Sequence, residues 1–182
     1  MAARPETFAF PAALSERVAR IAQELAHGEQ HAPHPHGPHI YVNGEELVLP
    51  SRLYYRSALP ASGGDPLDDT IRNCLGTRHH DGYLRERCVR ALLHERSEWV
   101  IPFLFAMLGE YVVEIVLAID SGLAPDVLPA WQHFAATNPQ FVATTHRRAI
   151  SYWDCYYRRR YLQLADYPAL RLLQRVTALS KI

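Results

Sequence analysis

At 182 residues and 20.7 kDa, with 48% hydrophobic residues, the chain has the size and apolar content of one helical or mixed domain over residues 1–182, and a second large domain is not expected. Nineteen Lys+Arg balance nineteen Asp+Glu, which argues against intrinsic disorder and against a global field for nucleic acid or an anionic membrane. Only Lys181 among the basic residues is lysine, and this arginine bias reads as the drift of a bacterial-type genome.

The N-terminal run MAARPETFAF has a short apolar patch, too little for a secretory leader or a spanning helix, so none is expected. Leu14, Val18, Ile21, Ala22 and Leu25 then recur at helical spacing and predict an amphipathic helix ended by Gly28. Residues 28–39 are a His/Pro-rich tract without apolar period and predict a loop. Two extended runs around Asn43-Gly44 predict one β-hairpin at about residues 40–49, because both turn residues tolerate positive φ. PASGGDP, residues 60–66, is turn chemistry, with Asp65 placed as an N-cap and Pro66 at the first position of a helix that Gly76 stops.

From Asp81 the pattern is helical: Asp81 to Glu95, Glu98 to Ile119, about Val127 to Thr137, Pro139 to about Tyr161, and Tyr167 to Leu179. Asp126, the Asn138-Pro139 pair and Asp166 ahead of Pro168 carry capping signatures for the last three. The expected fold is therefore all-α, a compact bundle of six to seven helices with one inserted hairpin. DGYLRERCVRALL, residues 81–93, resembles the first helix of a HEAT-type unit, and WVIPFLFAMLGE, residues 99–110, is similar to the second with its early proline. The resemblance, taken over residues 81–119, implies helix-pair packing and a binding role.

The Glu98–Ile119 run is apolar in nearly every direction, which predicts a central buried helix; Pro102, Glu110 and Glu114 speak against a membrane span. On a continuous helix Glu110 and Glu114 project about 40° apart beside Phe103 and Met107. Two buried carboxylates must be paired, metal-bound or protonated. Arg85 sits in the middle of the apolar arc of the preceding helix, so a buried network of Arg85, Glu110 and Glu114 is expected. The competing reading is a metal-dependent hydrolase in which Glu110 and Glu114 act with nearby histidines.

Metal candidates are His27 and His31, with the other histidines of the 28–39 tract, and His79 with His80. His79-His80-Asp81 resembles the His-Asp pair of the HD phosphohydrolases, but the separate earlier histidine and later aspartate that this family needs have no evident counterparts; Asp81 reads more simply as the N-cap of the next helix, with the histidines in the connecting turn. Cys74, Cys88 and Cys155 are odd in number and widely spaced, so neither a disulfide framework nor a zinc ribbon is expected and a reducing cytoplasm is the default. No phosphate loop or nucleophile elbow occurs, and no cofactor is expected.

THRRAISYWDCYYRRRY, residues 145–161, places Ala149, Ile150, Trp153, Tyr157 and Tyr161 on one helical face, with Arg148, Tyr152, Arg158 and Arg159 on its flanks. Arg/Tyr flanks suit protein hot spots and single-stranded nucleic acid alike; the neutral chain favours protein. The sequence thus predicts a non-enzymatic protein-binding or adaptor domain, immunity- or chaperone-like, for a partner with an acidic or mixed surface. A homo-oligomer is compatible with this, and nucleic acid binding through the Arg/Tyr helix is the weaker alternative.

Overall fold

A computed structural model describes residues 4–27, 31, 33–34, 36–55 and 64–178. Gly28 as a helix stop, residues 60–63 of the turn segment, and Leu179 as the last helical residue lie outside the described residues. Among the described residues the chain forms eight α-helices and a single two-stranded antiparallel sheet, so it is all-α with an inserted hairpin. No helix among them is long and apolar enough to cross a membrane.

Helix α1 spans Ser15–Ala26 and buries Val18, Ile21, Ala22 and Leu25. Its outer face is tied to the start of α2, Pro66–Gly76, through Arg17 with Asp65 and Asp68, and Arg20 with Asp68; Arg72 of α2 reaches back to Glu24. Asp65 caps α2, its carboxylate accepting from the amides of Leu67 and Asp68. Strands β1, His39–Val42, and β2, Glu45–Val48, pair in the register His39 to Val48 and Val42 to Glu45. Asn43 and Gly44 take φ of 52° and 82°, the conformation a type I′ turn requires.

Helix α3, Gly82–Leu92, is capped by Asp81, which accepts from the Tyr83 amide. The region expected as one helix over Glu98–Ile119 is broken. It comprises α4, Ile101–Ala106, tight 3-10 turns on either side, an extended link through Glu110 and Val112, and α5, Val113–Gly122. This break accounts for the eighth helix. Every residue from Val100 to Glu110 is buried, so the segment has no polar face to set a helical phase, and tertiary contacts decide where it turns.

Helices α6, Leu128–Thr137, α7, Pro139–Tyr152, and α8, Pro168–Thr177, complete the bundle, and a π-helical turn over Trp153–Tyr157 extends α7. Phe105 of α4 packs centrally against Trp131 and Phe134 of α6 and Phe141 of α7, at ring-centroid distances of 5.9, 5.3 and 5.9 Å. Three expected caps differ. Asp126 lies in a 3-10 turn and pairs with Arg96, Asp166 makes no cap, and Asn138 turns its side chain to the hairpin instead of its own helix.

Candidate functional site

The break in the Val100–Gly122 region organises the polar centre. Gly109 passes α7 so closely that a Cβ there would lie 3.3 Å from the Thr145 carbonyl oxygen and 3.4 Å from Arg148 Cβ. The next residue, Glu110, is extended and 1% exposed, and its Oε1 accepts from the amide of Tyr111 at 2.9 Å. Its Oε2 lies 3.0 Å from Nε of Arg85, which α3 buries completely, and 3.3 Å from Nη2 of Arg52. The Arg85 contact is an ion pair by distance without hydrogen-bond alignment, while Nη1 of Arg85 donates to the carbonyls of His79 and His80 at 3.0 and 2.9 Å. The guanidinium stacks 5.5 Å over the Tyr111 ring.

Glu114 does not join this network. Because the helix is interrupted, it starts α5 on the outside, 57% exposed, with Arg160 at 3.9 Å. The sequence-derived trio therefore corrects to Arg85 and Glu110 with Arg52 and the His79 and His80 carbonyls, and the structure does not bring Glu110 and Glu114 together as a carboxylate pair.

His79 is fully buried in the turn after α2. Its Nδ1 accepts from the Asp81 amide at 3.0 Å, which leaves the proton on Nε2 to donate to the Tyr55 carbonyl at 3.0 Å. Both ring nitrogens are thus engaged by backbone, and Asp81 is spent on its cap. His80 is exposed and stacks on Tyr54, whose ring also makes a T-shaped contact with His31. His27 binds the Gln23 carbonyl. Among the described residues no three His, Cys, Asp or Glu side chains are grouped as metal ligands would be.

Burial holds the His79 imidazole below its ordinary pKa. A histidine buried neutral contributes stability above the pKa of its unfolded form, about 6.5, and that stability is lost as pH falls through the lower folded-state value. We expect thermal stability to fall as pH drops below about 6.5, and the slope of Tm against pH to be shallower in His79→Gln. An unchanged slope would place the acid sensitivity elsewhere.

Two further arginines complete the centre. Arg78, at 9% exposure, donates from Nε to the Pro50 carbonyl at 2.9 Å and lines a cavity of about 540 Å³ together with Arg148 of α7. Burial, reinforced by Arg52 and Arg148 and opposed by Glu110, lowers the Arg78 guanidinium to about 9. The sequence reading selected Arg148 and missed Arg52 and Arg78, which lie on no amphipathic face. They meet through the parallel bridge of Leu53 with His79, where the Leu53 amide donates to Arg78 O and the His80 amide to Leu53 O.

Of the other selected residues, Tyr152 stands between Tyr111 and Tyr156, with ring centroids 6.0 and 6.2 Å away. Arg158 is held by Asp154 and lies 5.2 Å over the Trp153 ring, whereas Arg159 is exposed with no ion-pair partner among the described residues. Tyr111 also borders a separate groove of about 480 Å³ that carries Asp81, Tyr83, Glu86 and Glu114. A larger, mainly apolar groove of about 970 Å³ runs beside α8 past His146 and Arg147. Comparison with known protein families, with curated proteins and with solved structures finds no match to this chain. The HEAT-type and HD-type resemblances rest on their short motifs alone.

Proposed function

We propose that the chain is a protein-binding or adaptor domain whose contact face is centred on the C-terminal end of α7 and the turn that extends it. The observation that carries this reading is the tyrosine row Tyr111–Tyr152–Tyr156. Tyr111 and Tyr156 are 43% and 66% exposed, and arginines without carboxylate partners among the described residues, Arg148 and Arg159, flank the row. Tyrosine offers a large, stiff, amphipathic contact at small entropic cost, and unpaired arginine seeks an acidic counterpart; both dominate interface energetics. Arg158 serves this face through its pairing with Asp154, which fixes its guanidinium over Trp153.

The acidic groove next to Tyr111 makes the surface two-signed and suits a partner of mixed charge. A nucleic-acid backbone would meet repulsion at Glu86 and Glu114, which favours protein over RNA or DNA. An immunity- or chaperone-like role fits such a face.

Partners captured from extracts of the source cells and identified should bind the purified chain directly. Tyr156→Ala and Arg159→Glu are each expected to weaken that binding by about 30-fold, the size of an interface hot spot, without moving Tm because both side chains are exposed. Equal affinity for the parent and for the Tyr156→Ala/Arg159→Glu double variant would refute this face.

A further inference from the structure

The cavity between the hairpin and α7 has a chemistry distinct from the tyrosine face. One wall is the chain around β1: Gly37, Pro38 and His39 on one side and Leu49 on the other. Gly37 is required there, since a Cβ would lie 1.7 Å from the Leu49 carbonyl oxygen. The opposite wall is the outer side of α7, with Gln140, Thr144 and Arg148, and the floor is Arg78. Among the described residues no carboxylate lines it.

The floor is electrostatically unbalanced. Beside the effect of its own burial, Arg78 feels three guanidinium groups, Arg52, Arg148 and Arg85, and one carboxylate, Glu110. Glu110 is already engaged by Arg85, Arg52 and the Tyr111 amide, so it neutralises only one cation of the four. Arg78 uses Nε on the Pro50 carbonyl, and among the described residues no side-chain or backbone acceptor bonds its terminal nitrogens. Gathering like charges around the buried guanidinium groups of Arg78 and Arg85 is costly unless an anion joins them. Arginine presents planar, paired donors that match an oxyanion, and a volume of this size holds a small organic molecule, not merely a bare ion.

We propose that this cavity binds a small organic phosphate monoester, its phosphate against Arg78 and Arg148 and its organic body between Leu49 and Phe141. A dianion answers the surplus of cations better than a monocarboxylate does. The Gln140 side-chain amide offers hydrogen bonds to the body's polar groups. The assignment does not rest on the protein-binding reading and shares only Arg148 with it.

Calorimetric titration of the full chain with phenyl phosphate, inorganic phosphate, succinate and sodium chloride at matched ionic strength tests the proposal. Phenyl phosphate is expected to bind at a single site, more tightly than inorganic phosphate. Its affinity should rise as pH increases through about 6, where the monoester takes its second charge. Arg78→Met and, separately, the surface variant Arg148→Met should each weaken it by about tenfold or more, while Arg159→Glu leaves it unchanged. The exposed Arg148 provides a variant whose folding is not in question. Overturning results are binding no stronger than that of chloride, binding unaffected by Arg148→Met, succinate binding as tightly as phenyl phosphate, or inorganic phosphate binding more tightly than the ester. Partner capture retained in Arg78→Met, with phenyl phosphate lost, separates this site from the tyrosine face.

Discussion

Glu110→Ala is expected to destabilise the fold by about 3–5 kcal/mol and to lower Tm by roughly 10 °C. The cost arises less from the lost attraction than from what remains: Arg85 is fully buried, and among the described residues Glu110 is its only carboxylate partner. Without that carboxylate, α3 must keep a cation inside the protein with two carbonyl acceptors, beside Arg52 and Arg78, and Tyr111 loses the acceptor for its amide. Glu110→Gln retains the shape and an acceptor but not the charge, so it should fall between alanine and the parent.

Arg85→Met/Glu110→Leu removes both charges and fills the space, and should recover much of the loss, because a buried pair contributes little over well-packed apolar residues. Glu114→Ala is the control: exposed, and 3.9 Å from its arginine, it should change stability by less than about 0.5 kcal/mol. Denaturant unfolding of the four variants checks this ordering. Glu110→Ala as mild as Glu114→Ala would mean that Arg85 is hydrated or finds another counterion.

The contrast between these two glutamates also marks how far the sequence could be read. Local chemistry was legible: Asn43-Gly44 turns the hairpin, Asp65 and Asp81 cap their helices, and the apolar arc of α1 is the buried one. The Arg85–Glu110 contact could be anticipated because a guanidinium stood in the middle of an apolar face. The position of Glu114 could not, since an apolar run without a polar face carries no phase, and Gly109 alone does not announce a break. Its lack of a side chain matters only once α7 lies against it.

Arg52 and Arg78 were invisible for a related reason. Each lies in irregular chain, and only the pairing of Leu53 with His79 brings them to Glu110. Asn138 shows the same limit from the other side. Before a proline it has the form of a cap, yet two of its hydrogen bonds join it to Tyr41, 97 positions away.

Those contacts support the second large effect. Asn138, 5% exposed, accepts from the Tyr41 amide at 2.7 Å and donates to the carbonyls of Tyr41 and Phe134 at 2.9 Å each. One amide side chain thereby pins β1 to the junction of α6 and α7. An isolated two-stranded hairpin is marginal in water, so this clamp and the burial of Ile40, Val42 and Leu47 are what hold it.

Asn138→Ala strands the Tyr41 amide and should cost about 2–4 kcal/mol. Asn138→Asp should do no better near neutral pH, because its second oxygen would face two carbonyl oxygens where the amide donated; at acid pH, protonation should restore part of the loss. Hydrogen exchange at the Tyr41 amide should accelerate in both variants, with α3 unaffected. The β1 chain also walls the cavity at Arg78, so a loosened hairpin should weaken phenyl phosphate binding in step with the faster exchange. Exchange that accelerates while phosphate affinity stays constant would show that the hairpin wall is a bystander and that Arg78 and Arg148 hold the anion unaided.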